Sequence, residues 1–114
     1  MEVKNITKNI LLADNAALAN TFFSRLRGLL GTKRLEQGAG LIIKPCSSIH
    51  TFGMAYSIDV LFVDKNNCVL KAAGDIRPGR MAACSGSVYV IELPAGTAAR
   101  TGTTAGDLIR LSIN

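Results

Sequence analysis

Short apolar runs separated by glycines and polar turns predict a mainly β protein. The clearest strands are the apolar runs at 58–63 (IDVLFV) and 87–93 (SVYVIEL), because strands are short and rich in β-branched and aromatic residues. Weaker runs bring the prediction to seven or eight strands, at 1–6, 10–13, 40–43, 49–52, 68–73 and 108–113. Since short strands leave exposed edges, we predict a small closed or half-closed β-barrel.

One α-helix is predicted near residues 20–31. Apolar side chains recur there at three- and four-residue spacing, which is typical of a helix with one apolar face. Asn20 or Thr21 can cap its first turn, and Gly31 suits the left-handed position that follows a helix. The fold class is therefore mainly β with a single helix (α+β).

The composition is that of a single domain covering residues 1–114. The chain is 48% hydrophobic and 18% charged, which excludes an intrinsically disordered protein. No apolar run is long enough to span a membrane, and no signal peptide is recognised. The three cysteines are an odd number without a CxxC pair, so we expect a free thiol and a cytoplasmic, reducing location.

The net charge of +5 is concentrated in a basic patch. The patch consists of Arg25, Arg27, Lys33 and Arg34. It could meet phosphates or an acidic partner, or it could be a solvated helix end. Nucleic acid is not an expected partner, because stacking on bases needs aromatic side chains and the chain has four Phe, two Tyr and no Trp.

The segment 46–59 (CSSIHTFGMAYSID) holds the one histidine of the chain. Cys46, His50 and Met54 are spaced four apart, which allows a soft-metal site such as one for copper(I). This spacing is a weak signal, and no cofactor is otherwise predicted. Cys46 and Met54 are equally consistent with ordinary core packing.

A nucleophilic site is a second interpretation of the same segment. Cys46 could act as a thiolate activated by His50, with Asp59 orienting the imidazole. Asp59 and Glu92 each sit within an apolar strand, where a carboxylate must be solvated or paired. The two could be general acid–base groups or two structural ion pairs, and the sequence alone does not choose between them.

Six motifs in order resemble the bacterial and archaeal family called domain of unknown function 192. The similarity covers about residues 9–112 and rests on RLRGLLG (25–31), GAGLIIKPC (38–46), IHTFGM (49–54), IDVLFVD (58–64), VYVIELPAG (88–96) and GTTAGD (102–107). The resemblance implies a compact, mainly β fold and no established activity. Some members resemble secreted proteins with a leader and carry Trp where this chain has Gly53.

The family's most recognisable stretch falls on His50, Thr51, Phe52, Gly53, Met54, Ile58 and Asp59. Its remaining elements fall on Arg27, Gly28, Glu92, Leu93 and Gly96.

Three functional hypotheses remain open at this point. The first is a binding module for a small polar or anionic ligand, because loop arginines bind carboxylates and phosphates. Its predicted groove is formed by His50, Thr51, Met54, Asp59, Arg77 and Arg80. The second is a thiol or hydrolase-like enzyme that uses Cys46, His50 and Asp59. The third is an assembly protein that docks a protein partner through the basic patch.

Overall fold

The computed structural model describes residues 1–113, which form ten strands and two short helices. The mainly β prediction is therefore confirmed. The strands are β1 (Glu2–Asn5), β2 (Ile10–Ala13), β3 (Asn15–Ala19), β4 (Ala39–Ile43), β5 (Ser48–His50), β6 (Ile58–Val63), β7 (Val69–Ile76), β8 (Met81–Ala83), β9 (Tyr89–Pro94) and β10 (Ile109–Ser112). The helices are α1 (Phe22–Arg27) and α2 (Thr97–Thr101), and neither is long enough to cross a membrane.

The centre of the fold is a five-stranded sheet with the order β3-β4-β9-β6-β7. Its middle strands β9 and β6 are the two clearest apolar runs of the sequence, and they pair antiparallel from Ile58 opposite Pro94 to Val63 opposite Tyr89. All six residues of β6 are buried, because both faces of the sheet are covered.

A second sheet, β10-β1-β2, packs on one face of the five-stranded sheet. Val3 and Ile109 from the second sheet meet Leu61, Ile91 and Leu93 from the first in one apolar cluster. The opposite face carries a separate cluster that includes Ile43, Val60 and Val90. This face is covered by the β5–β8 pair and by the chain around α1. We call it the α1 face.

The predicted closed or half-closed barrel is not confirmed. Strand pairing among residues 1–113 gives three open sheets of five, three and two strands. Backbone hydrogen bonds between Met1 and Ala16, and a bridge between Cys68 and Leu108, join the two larger sheets only locally. Their strands pack face to face across the apolar cluster instead of forming one continuous ladder.

The predicted helix near 20–31 is shorter in the structure. Thr21 caps α1 by accepting from the Ser24 backbone N–H at 3.1 Å, and Ser24 Oγ accepts from the Thr21 N–H at 3.0 Å. The helix ends at Gly28, whose φ of +52° favours glycine. None of its residues is buried, so its apolar side chains face outwards or toward the space beneath it.

Two strands lie outside the predicted set. β3 (NAALA) is rich in alanine, which has no strand preference, and it forms only through parallel pairing with β4. β8 lies in a segment predicted as a loop and exists through its pairing with β5. Both strands depend on partners distant in sequence, which a local pattern does not reveal.

Asp59 ties three elements together on the face opposite the α1 face. It is 1% exposed, and its carboxylate accepts backbone N–H groups of Asp75 at 2.8 Å, Gly96 at 3.1 Å and Ala98 at 2.8 Å. These bonds connect β6 to an irregular part of β7 and to the first turn of α2. The cost of burying this carboxylate is offset by three donors.

We expect Asp59→Ala to lower the free energy of unfolding by about 2–4 kcal/mol, because it removes the shared acceptor of three partly buried backbone N–H groups. Chemical denaturation of the purified protein measures this loss. The control is Glu36→Gln, since Glu36 makes an exposed ion pair with Arg34 at 3.0 Å and should change stability by less than about 0.5 kcal/mol. Equal effects of the two substitutions would contradict the structural role of Asp59.

Candidate functional site

A cavity of about 510 Å³ lies between α1 and the α1 face of the five-stranded sheet. We call it the α1 cavity. Its outer wall is α1 with the turn after it, and its inner wall includes Ile43 at the end of β4, Glu92 of β9 and the strand β5. The lining residues are Phe22, Arg25, Leu26, Arg27, Gly28, Leu29, Leu30, Ile43, Pro45, Cys46, Ser47, Ser48, Ile49, His50, Met54, Ser87 and Glu92.

Glu92 is the buried acid of this cavity. It is 5% exposed and lies on β9 between Leu41 of β4 and Val60 of β6, both apolar. No described residue donates a hydrogen bond to its carboxyl group or forms an ion pair with it. Burial alone raises the pKa of Glu92 from its ordinary value of 4.5 to about 7, because removal from water disfavours the charged form.

Gly28 keeps the outer wall open above Glu92. A Cβ atom built on Gly28 would lie 4.0 Å from Glu92 Oε1 and 4.0 Å from Ile43 Cδ1. The φ of +52° would also strain any larger residue. The glycine that ends α1 therefore also leaves space in front of the buried acid.

Arg25 supplies the opposite charge on the outer wall. Its Nη1 donates to the Pro45 carbonyl at 3.4 Å, near the long limit of a hydrogen bond. Its Nε is buried and has no partner among the described residues. Two residues that line the cavity, Arg25 and Glu92, therefore carry polar side-chain atoms without a partner among the described residues.

Cys46 and His50 line the same cavity. The Cys46 thiol donates to the Ser48 carbonyl at 3.1 Å. Burial raises the pKa of Cys46, and the Glu92 charge adds to the increase, while the Ser48 contact and Arg25 oppose it. A raised pKa leaves little reactive thiolate at neutral pH. The exposed His50 ring stacks on Phe52, with the ring centroids 5.2 Å apart.

The structure separates Asp59 from Cys46 and His50. In register, Asp59 is opposite Leu93, whereas its neighbour Val60 is opposite Glu92. Side chains alternate between the faces of a sheet, so Asp59 lies on the face away from the α1 cavity. It therefore does not orient His50, and the predicted Cys46, His50 and Asp59 constellation is not assembled.

The five other residues of the predicted groove lie in three places. His50 and Met54 line the α1 cavity. Arg77 and Arg80 are exposed and line a separate hollow of about 420 Å³ beside β7 and β8. Thr51 is fully buried. Its hydroxyl donates to the Arg77 carbonyl at 2.6 Å and accepts from the Arg80 N–H at 2.9 Å, so its hydroxyl holds this loop.

The metal and docking hypotheses stay predictions. Cys46, His50 and Met54 all line the α1 cavity, but residues 1–113 contain no group of three or more His, Cys, Asp or Glu side chains that could hold a metal. Of the basic patch, Arg25 and Arg27 line the cavity, and Arg34 pairs with Glu36.

Sequence analysis did not assign Arg25 and Glu92 to one site. Two sequence features point to this site: the single acid on one face of the apolar run 87–93, and a glycine near the end of the predicted helix. Neither observation reveals that α1 lies over β9, because that contact joins segments more than sixty residues apart in the numbering.

Comparisons with known proteins find relatives along almost the whole chain. A family model for domain of unknown function 192, described as "Uncharacterized ACR", matches residues 3–111. A protein of Thermococcus sibiricus named "UPF0127 protein" is 36% identical over 112 residues, which cover 92% of this chain and 71% of that protein.

Two crystal structures have a similar fold. A protein of unknown function from Novosphingobium aromaticivorans superposes with a TM-score of 0.84 at 23% identity, covering 96% of this chain and 82% of that one. A protein of Sinorhizobium meliloti, described as a "putative transcription regulator", gives a TM-score of 0.82 at 19% identity, covering 96% and 89%. At these identities the likeness shows the fold alone.

The burial of Glu92 predicts a specific pH dependence of stability. Between about pH 4.5 and about pH 7 the unfolded state has lost the Glu92 proton while the folded state keeps it. Stability therefore falls as pH rises through this window and levels off above it, with a total loss on the order of 3 kcal/mol.

Urea denaturation of the wild type and of Glu92→Gln from pH 4 to pH 8 tests this prediction. Since Gln has no charge, the difference in unfolding free energy should shift in favour of Glu92→Gln as pH rises. Profiles that stay parallel over the whole range would contradict a buried, unpaired carboxyl group.

Proposed function

The chain belongs to the family called domain of unknown function 192, as its motifs predicted, and we propose that it is a binding module that takes a small ligand into the α1 cavity. The observation that carries the proposal is the buried Glu92 carboxyl group, which faces this cavity without a protein partner. A cavity and a polar group without a protein partner occur together at one place in the fold.

The size and lining of the cavity support a small ligand. Ligand sites commonly measure about 300–1,000 Å³ and combine apolar walls with a few oriented polar groups. The α1 cavity has about 510 Å³. Ile43, Leu29 and Met54 give it apolar walls, while Glu92 and Arg25 give it polar ones.

The energetic cost of Glu92 also supports binding. A carboxyl group buried without donors destabilises a fold relative to an apolar residue of similar volume. Asp59, on the neighbouring strand, is fully supplied with donors from the protein. A ligand that brings donors to Glu92 would offset the corresponding cost on the α1 face.

We expect small fragments to enter the α1 cavity of the wild-type protein. In a fragment screen monitored by two-dimensional NMR, shifts should concentrate at the amides of Gly28, Ile43 and Cys46. Ser48→Trp should weaken this binding by about tenfold or more, because the indole would occupy part of the cavity. The control is Ser85→Trp, since Ser85 is exposed and does not line the cavity.

Alkylation of the thiols gives an independent measurement. A bound fragment should slow the reaction of Cys46 with iodoacetamide, while Cys68 and Cys84, which do not line the α1 cavity, react at unchanged rates. Fragments that bind Ser48→Trp as well as the wild type, or a library in which nothing enters the cavity, would refute the proposed function.

A further inference from the structure

We propose that the ligand of the α1 cavity is a small zwitterion, whose amine meets Glu92 and whose anionic group meets Arg25. This inference rests on the proposed function and adds the chemical class of the ligand. It follows from the two unpartnered groups of opposite character that the same cavity contains.

Glu92 lacks donors and can obtain them only from the cavity side. Its register neighbours on β4 and β6 are Leu41 and Val60, which carry no polar side-chain atoms. Gly28, across the cavity, has no side chain. An ammonium group carries three donors and a positive charge, and hydrogen bonds between charged partners are about twice as strong as neutral ones.

Arg25 has one weak acceptor among the described residues. The Pro45 carbonyl occupies Nη1 through a long contact of 3.4 Å, and Nε remains buried without a partner. A guanidinium group binds carboxylate or phosphate through two parallel N–H donors. An anionic group in the cavity could therefore bind the guanidinium more closely than the Pro45 carbonyl does.

The two residues line one cavity of about 510 Å³, a volume within the range of small-molecule sites. Cys46 lines the same cavity. Ile43 and Met54 also line it and provide apolar contacts for the carbon chain that separates the ends of the ligand.

A ligand with a single charge would satisfy only one wall. An anion in the cavity would be repelled by the Glu92 carboxylate, and a cation would be repelled by Arg25 and Arg27 on α1. The other titratable groups of the cavity are Cys46, from the segment after β4, and His50, from β5. A zwitterion places each of its charges against the wall of opposite sign.

The test uses glycine, β-alanine, γ-aminobutyrate and ε-aminohexanoate as probes, with n-pentylamine and pentanoate as controls of single charge. Titration calorimetry and NMR on the wild-type protein should show at least one amino acid binding about tenfold more tightly than either control. Chain length selects the member that spans the distance between the two groups.

Substitutions assign each end of the probe. Glu92→Gln should weaken the best amino acid and n-pentylamine by about tenfold and leave pentanoate unchanged or improved. Arg25→Met should weaken the best amino acid and pentanoate but leave n-pentylamine unchanged or improved. Glu36→Gln and Arg110→Met are the matched controls, because both residues are exposed and lie outside the cavity.

Circular dichroism and unfolding midpoints verify that each variant is folded before its affinity is compared. The zwitterion proposal is overturned if the amino acids bind no more tightly than the controls, or if the two substitutions leave the affinities unchanged. If screened fragments still enter the cavity in that case, the proposed function stands without it. If no fragment enters, both proposals fall.

Discussion

A carboxyl group removed from water must find hydrogen-bond donors, and this requirement organises the centre of the structure. The middle strands β6 and β9 carry one buried acid each, and the pleat directs the two acids to opposite faces of the sheet. Asp59 receives three backbone N–H groups and ties the irregular part of β7 and the first turn of α2 to β6. Glu92 receives none from the described residues, and a cavity lies in front of it. A buried carboxyl group thus stabilises one face of the sheet, whereas on the other face it lacks hydrogen-bond donors.

The way in which the α1 face is covered explains why Glu92 has no donors. The β5–β8 pair and the loops around it pack on Ile43, Val60 and Val90, but α1 buries none of its own residues. Phe22 is 65% and Leu26 is 64% exposed, although both line the cavity. The helix therefore forms one wall of the cavity without burying its own side chains against the sheet, and Gly28 ends it over Glu92. Closer packing would require either a donor for Glu92 or an apolar residue in its place.

Local pattern was enough for the elements that are apolar along their whole length. The runs at 58–63 and 87–93 form central strands, because only a strand inside a covered sheet buries the side chains on both of its faces. β3 and β8 were missed, since their short, alanine-containing sequences become strands only through partners far along the chain. The barrel prediction is not confirmed, for a related reason: edge exposure favours closure, but stacking of separate sheets protects edges as well, and the strand pattern is the same in both cases.

The candidate site was less accessible to sequence reasoning than the fold. The lone histidine and the residues around it drew attention to 46–59, and part of that segment does line the cavity. Asp59 and Thr51, however, use their polar atoms within the fold, and the number of hydrogen bonds a side chain receives from the backbone cannot be counted from a sequence. Arg25 and Glu92 stand out only because they lack hydrogen-bond partners, which is a property of the folded chain.

The pairing of β1 with β10 brings residues 2–5 against residues 109–112. During synthesis on a ribosome, β1 leaves the exit tunnel long before β10 does. β1 and β2 can pair early, but β10 must emerge before that sheet is complete and before Ile109 can cover the apolar cluster beneath it. Because closing so long a loop is entropically slow, the nascent chain exposes an apolar surface until residues 109–112 have been synthesised, and chaperones that recognise such surfaces have their longest opportunity to act there.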